Sequence, residues 1–328
     1  MPISVEDRIL ITGAQGLVGS ALRTELESKG FEQLVCPERT TLDLTCQEDT
    51  KQFFAENQID FVFHTAARVG GIGANSKYPA EFIYENLMIE SNVIHQAYLS
   101  GIKRLIFFGS SCSYPKLANQ PISEQELLKG ALEPTSEPYS IAKIAGMKLC
   151  HAYSSQYALD YRVIVPASIY GGAVSFYNEN SHVIPALLTK FHHAKRTSAP
   201  SVTIWGSGTP LREFIHLTDL ISGVLFVLNV EKERYMKTIE GTWHLNMGSG
   251  EELSILKLAE IIKNVTGFEG TIIFDMDKPD GAQRKLLDSS LINNLGWKSK
   301  VNIYKGIEMA YQELLSEEKK SPAKLHIK

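Results

Sequence analysis

Four side chains in the middle of the chain have the types and spacing to move protons. Tyr139 and Lys143 stand four residues apart in EPYSIAKIAGMKLC, so a helix would put both on one face. A free phenol, with a pKa of about 10, is a poor acid–base group at neutral pH. An ammonium beside it favours the phenolate and is expected to bring that pKa down into a working range. Ser110 closes the apolar run KRLIFFGSS. Its hydroxyl would hydrogen-bond a carbonyl oxygen that becomes an alkoxide while Tyr139 delivers the proton. Cys112 follows in FFGSSCSYP, a thiol set between serines. From the residues alone it has three readings: a small core filler, a metal ligand, or a working acid–base group.

These groups need elements to bring them together. RILIT (8–12) reads as a buried strand and LVGSALRTELESKG as a helix closing on Gly30. Between them, Gly13, Gly16 and Gly19 of GAQGLVG let the chain turn tightly and admit a pyrophosphate to the backbone amides. Ala14, Gln15, Leu17 and Val18 complete that loop, and the free N–H groups of the helix start favour an anion. A nicotinamide dinucleotide is the expected cofactor. The second strand, QLVCP, ends without a carboxylate to hold a ribose 2′-hydroxyl. Arg39 of VCPERTTLDL suits a 2′-phosphate instead, and Asp43 and Leu44 fall where the adenine edge would lie. NADP(H) is therefore expected over NAD(H), with Lys143 able to reach its ribose.

The alternation continues. QEDTKQFFAENQ reads as a helix, DFVFHTAA as a strand, 79–100 as a long helix, PYSIAKIAGMKLCHAYSSQY as another, and DYRVIVPASIYG as a strand. The fold class that follows is α/β: a Rossmann-type doubly wound parallel sheet with a smaller, interleaved α+β substrate lobe. After Gly171 the pattern loosens into a loop feeding the helix VIPALLTKFHHAK. VTIWGSGTPLREFIH looks like a hairpin-like excursion, and TDLISGVLFVLNV with GTWHLNMGSG returns to the sheet. Residues 1–168 and 215–248 are expected to form the NADP-binding unit, and 169–214 and 249–328 the substrate lobe. Internal repeats and low-complexity linkers are absent from the sequence, and its last dozen residues look frayed.

Composition narrows the class. With 328 residues, 44% hydrophobic and 21% charged, the sequence reads as an ordinary globular chain. A formal net charge of -4 gives no electrostatic case for nucleic acid or an anionic membrane as main partner. The acidic start MPISVEDRILITGAQG is unlike a secretory signal, and no apolar run approaches the roughly 18 residues of a bilayer span. Cys36, Cys46, Cys112 and Cys150 lack paired zinc spacing. The expectation is a reduced, cytoplasmic chain without metal.

The Ser–Tyr–Lys set with TGAQGLVG resembles the extended short-chain dehydrogenase/reductase superfamily. AARVGGIGANSKYPAEFIYENLMIESNVIH, GSSCSYPKLANQPISE, NSHVIPALLTKFH, WGSGTPLREFIH and DKPDGAQRKLLD narrow the resemblance. Over nearly the whole chain, these stretches look like the GDP-L-fucose synthase family of GDP-4-keto-6-deoxymannose 3,5-epimerase/4-reductases. That resemblance implies NADPH-dependent epimerisation and reduction of a GDP-linked 4-keto-6-deoxyhexose. It also implies Cys112 as the base and His182 as the acid for inversion at C3 and C5. Cofactor contacts are implied for Ser110, Pro166, Ile169 and His182, and nucleotide-sugar contacts for Lys190, Trp205, Arg212 and Asp280. A homodimer through 79–100 and 138–157 is implied as well.

Two stretches depart from the family pattern. Ala14-Gln15 stands where an arginine often meets the 2′-phosphate, which leaves that contact to Arg39. PASIYGGAVSF (166–176) replaces a Thr-Asn pair by Ala167-Ser168 and a Pro-His-Asp-Asn run by Gly172–Ser175. A changed hexose, such as the 3-deoxy sugar of GDP-L-colitose formation, is the enzymatic alternative. A non-catalytic NADP-binding protein would be expected to lose part of the Ser–Tyr–Lys set, and all three members are present.

Overall fold

The strand β1 (Ile9–Thr12) is buried at every residue, as a central strand covered on both faces must be. A computed structural model describes residues 3–172, 182–278 and 280–320 of the chain. After β1 come α1 (Leu17–Ser28), β2 (Leu34–Val35), α2 (Gln47–Glu56), β3 (Phe61–His64), α3 (Ile72–Lys77) and α4 (Pro79–Leu99). Then follow β4 (Arg104–Phe108), α5 (Glu137–Tyr157), β5 (Asp160–Pro166) and β6 (Ser168–Tyr170). Prolines in the first turns of α4 and α5 cost no hydrogen bond there, and they set where each long helix starts.

The second half holds α6 (Val183–Arg196), β7 (Ser201–Trp205), β8 (Leu211–His216), α7 (Leu217–Asn229), α8 (Lys232–Thr238) and β9 (Leu245–Met247). It closes with β10 (Glu252–Ser254), α9 (Ile255–Thr266), β11 (Thr271–Asp275), β12 (Arg284–Lys285), α10 (Ser290–Leu295) and α11 (Ile303–Lys320). The main sheet has the order β2-β1-β3-β4-β5-β9 and is parallel throughout. The order reverses between β1 and β3, so the crevice beyond the carboxyl ends of those strands is where a ligand would sit.

Two apolar cores form. One packs Leu10, Phe63, Leu105 and Val163 of the sheet against Leu22, Val93, Met147 and Leu220 of the helices. The other gathers Leu188, Phe191, Ile204, Phe214, Leu258 and Leu314. Leu287, Ile292, Leu295 and Trp297 belong to the first core, although the sequence assigned 249–328 to the substrate lobe. The chain packs back against the first core there.

The 202–216 stretch is not a hairpin. β7 pairs in parallel with β11, while β8 pairs with β6, β10 and β12. Side chains of β7 alternate buried and exposed, which fits an edge strand on a helix but says nothing about its partner. The tail also differs from expectation. α11 continues to Lys320 because Ile307, Ala310, Tyr311 and Leu314 give it a buried stripe; residues 321–328 lie outside the described residues. Among the described residues no helix is long and apolar enough to cross a membrane.

Candidate active site

A cavity of about 750 Å³ opens along the carboxyl ends of β1, β3 and β4 and runs into the second lobe. Gly13, Gln15, Gly16, Leu17, Val18 and Gly19 line one end, with Arg39, Asp43 and Leu44 beside them. Gly13 takes φ 71°, and a Cβ there would lie 2.8 Å from the Ala66 backbone, so no other residue fits this turn. Gly16 caps α1 without a side-chain hydrogen bond, which leaves the first-turn amides open to an anion. Uncapped amides and a guanidinium supply donors for phosphates and a nearby carboxylate an acceptor for a hydroxyl or amine, a set that suits a dinucleotide. Ala14 does not share in the wall; its side chain is in the first core.

Arg39 is 76% exposed and lies 3.6 Å from Glu85, which also pairs with Arg68 at 2.5 Å. One carboxylate shared by two guanidiniums leaves positive charge over at the cavity wall. Asp43 sits below the usual carboxylate pKa because Thr45 donates to it from both hydroxyl and backbone.

In the middle of the cavity stand Ser110, Cys112 and Tyr139, with Pro166, Ile169 and His182 facing them. Ser110, two residues past β4, is in extended conformation and opens a single 3-10 turn, Ser111–Ser113. Its Oγ accepts from the Cys112 N–H at 3.2 Å, so its own proton remains available for another oxygen. The Ser140 hydroxyl donates to the Cys112 carbonyl at 2.9 Å and ties this turn to the start of α5, one residue from Tyr139.

Burial pushes the Cys112 thiol up, but the Lys285 ammonium and hydrogen bonds from Ser110, Ser136 and Lys285 outweigh it, and its pKa falls below the ordinary thiol value. Cys150 shows the other outcome: burial without such partners raises it well above that value. Cys112 lines the cavity and belongs to neither apolar core. Among the described residues no group of three or more His, Cys, Asp or Glu could hold a metal ion.

Lys143 corrects a sequence expectation. It is buried behind the cavity and pairs with Glu90 of α4, Nζ to Oε1 at 3.0 Å. A Cβ at position 146 would come within 2.5 Å of the Glu90 carboxylate, so Gly146 leaves the space this pair occupies. Burial raises Glu90 to a pKa of about 6 despite Lys143. Tyr139 is not brought down. Burial first, then the charges of Cys112 and Glu90, push its pKa well up, against a Ser110 hydrogen bond. The ammonium meant to help the phenolate is largely answered by a carboxylate.

His182 precedes α6 at the cavity wall, where desolvation by surrounding protein lowers its pKa. At the far end Arg212 and Asp280 line the wall together with Arg284 and Lys285. Asp280 accepts from the Ser207 N–H at 2.9 Å and hydroxyl at 2.7 Å. Lys190 and Trp205 stand outside the wall. Trp205 is 65% exposed at the end of β7, with the Lys190 and Lys278 ammoniums 5.9 and 5.4 Å from its ring. Ala167 and Ser168 of the altered segment line the cavity, whereas 173–175 lie outside the described residues.

Two residues of this site were missed in the sequence. Glu90 had a faint signal, an acid inside the apolar pattern of a long helix. Lys285 had none, being 173 residues from the thiol it touches.

Comparison with known proteins fits this geometry. The sequence pattern of the "NAD dependent epimerase/dehydratase family" matches residues 9–239. A GDP-L-fucose synthase from Escherichia coli is 47% identical, covering 94% of this chain and 97% of its own. A GDP-L-colitose synthase from Yersinia pseudotuberculosis is 34% identical, covering 94% and 98%. Among solved structures, a GDP-6-OMe-4-keto-L-xylo-heptose reductase from C. jejuni superposes with a TM-score of 0.92 at 36% identity, covering 97% and 100%. A GDP-mannoheptose C4 reductase from Campylobacter jejuni with NADP bound gives 0.86 at 36% identity, covering 95% and 99%.

Proposed function

The chain belongs to the NAD dependent epimerase/dehydratase family, which works with a nicotinamide cofactor, and from that membership we propose its reaction. The protein converts GDP-4-keto-6-deoxy-D-mannose to GDP-L-fucose by 3,5-epimerisation and NADPH-dependent 4-reduction. One observation carries this reading: a thiol in contact with a lysine ammonium shares a cavity wall with Ser110 and Tyr139. Reduction alone needs only the serine, tyrosine and lysine; a thiol held ready for ionisation answers a further need, the removal of a proton α to the carbonyl.

Cys112 as thiolate takes the proton at C3 or C5, leaving an enolate whose oxygen accepts hydrogen bonds from Ser110 and Tyr139. His182 returns a proton from the opposite face, which inverts the centre. Tyr139 is protonated at neutral pH, so it can donate to the enolate and later give its proton to the 4-alkoxide. The α1 amides, Arg39, Asp43 and Leu44 would hold the dinucleotide, which when bound supplies the hydride for C4. Lys143, locked by Glu90, fixes the helix face that carries Tyr139.

Arg212 and Asp280, with Lys190 and Trp205 just beyond the wall, would take the GDP moiety. The protein would act in the cytoplasm as a homodimer through α4 and α5, which leave Tyr84, Leu99, Ile141 and Tyr157 exposed at 62%, 59%, 42% and 42%. The test is direct: NADPH should be consumed with GDP-4-keto-6-deoxymannose and not with GDP-mannose. Binding of NADPH without consumption would leave a non-catalytic protein.

Arg39 should decide the cofactor. Arg39→Ala is expected to weaken NADPH binding by about 1.5–3 kcal/mol, as for a charge-assisted hydrogen bond, and to leave NADH nearly unchanged. Titration of both cofactors checks this, and equal losses would make Arg39 structural.

A second reading rests on Ala167 and Ser168. Side chains that lack the reach of Thr and Asn demand less of the sugar's 3-hydroxyl, so a 3-deoxy hexose should be tolerated. Restoring Ala167→Thr and Ser168→Asn is expected to raise kcat/KM for the 3-hydroxy over the 3-deoxy sugar. A strong prior preference for the 3-hydroxy sugar that restoration leaves unmoved would contradict this.

A further inference from the structure

We propose that Lys285 is a positioning residue for the epimerisation half of the reaction, its ammonium set against the Cys112 thiol so that ionisation there is favoured before substrate arrives. The inference rests on the reading of Cys112 as the base. Its geometry stands apart from that reading: the Lys285 Nζ donates to the Cys112 Sγ at 3.8 Å, from the other lobe of the molecule.

The lysine is held there from several sides. β12 pairs with β8, with Lys285 opposite Arg212. The next residue, Leu286, donates its N–H to Gln120 Oε1 at 2.9 Å, and its carbonyl accepts from the Ile122 N–H at 2.7 Å. The Leu287 N–H donates to the buried Glu213 carboxylate at 2.9 Å. Gln120 and Ile122 follow the Cys112 turn, so the strand carrying the ammonium is fastened to the loop carrying the thiol. Arg284, its neighbour, is engaged by Glu252 at 2.6 Å, whereas among the described residues no carboxylate forms an ion pair with Lys285. Its charge is left for the sulfur.

Other groups face the same sulfur. Ser110 after β4 and Ser136 before α5 stand beside it as neutral hydroxyls, Tyr139 of α5 is a neutral phenol, and Arg212 of β8 adds a more distant positive charge. Lys285 is the cation in contact. In the resulting step the thiol loses its proton to water beside the ammonium, and the thiolate then takes the substrate's C–H proton and returns to the thiol. Nothing is oxidised, and the ammonium keeps its own protons.

Iodoacetamide reads the thiolate without any substrate. Alkylation at Cys112, followed by peptide mass spectrometry so that Cys36 and Cys46 do not confuse it, gives a pH midpoint. Lys285→Met is expected to move that midpoint up by about one pH unit or more, slowing alkylation at pH 7 about tenfold; Lys285→Gln should do the same and Lys285→Arg should recover most of it. Solvent-deuterium exchange into GDP-4-keto-6-deoxymannose should fall in parallel in Lys285→Met and recover as pH rises, which a misshapen site would not do. NADPH binding reports folding of each variant. An unmoved midpoint in both neutral variants overturns the proposal, whatever the exchange does. Undiminished exchange in Cys112→Ala would instead overturn Cys112 as the base and leave the effect of Lys285 on its thiol standing.

Discussion

Tyr139→Phe is expected to slow NADPH consumption with the 4-keto substrate by about 10²–10⁴-fold, the usual worth of a positioned proton donor. The phenol ring packs edge-on against Phe82, so the substitution keeps its contacts and removes only the hydroxyl. NADPH binding should survive. Deuterium exchange at C3 and C5 should fall less than reduction, because Ser110 still donates to the 4-oxygen and Cys112 is untouched. The pH dependence should change too. A phenol pushed above its ordinary value stays protonated through neutral pH, so reduction by the native protein should not be lost between pH 6 and pH 8 through Tyr139. Transient absorbance of NADPH gives the chemical step, and a Tyr139→Phe rate within about threefold of the native one would remove the tyrosine from the proton path.

Cys112→Ala separates the other half. Exchange of solvent deuterium into C3 and C5 is expected to fall by about 10²–10⁴-fold while NADPH binding is kept. The side chain is small and only half-buried, so folding should tolerate its loss. Reduction should continue on the uninverted sugar at whatever rate its misfit allows, giving a 4-reduced product that is not L-configured. In the native protein, exchange should rise with pH and level off below the usual thiol range, because Lys285, Ser110 and Ser136 together outweigh burial. Exchange that persists unchanged in Cys112→Ala would assign the base elsewhere.

Local pattern carried much of the fold. Strand-and-helix alternation over the first 170 residues is short-range information, and the glycine loop, Ser110 and the Tyr139–Lys143 turn all sit on elements that the periodicity reveals. What failed depended on partners far along the chain. The alternation of β7 is real, but β7 finds β11 some 70 residues later, and a hairpin was the nearest local guess. Tyr139 and Lys143 share a helix as their spacing requires, yet the charge balance between them is set by Glu90 on another helix. A buried carboxylate cannot be paired with a lysine from sequence when neither lies near the other. Lys285 is the extreme case, a cation brought to Cys112 only by the return of the chain to β8. Of the four residues expected at the nucleotide end, Arg212 and Asp280 line the cavity wall, while Lys190 and Trp205 stand on the surface beside it.

The central claim is that one cavity both inverts and reduces the same sugar, with a thiol and a phenol dividing the protons. Incubation with GDP-4-keto-6-deoxymannose and NADPH in deuterium oxide, followed by proton NMR of the product, tests it most directly. The account predicts GDP-L-fucose bearing deuterium at C3 and C5 and ordinary hydrogen at C4, delivered from NADPH. A 4-reduced product with hydrogen retained at C3 and C5 would contradict it, leaving a reductase in which Cys112 has no part in the chemistry.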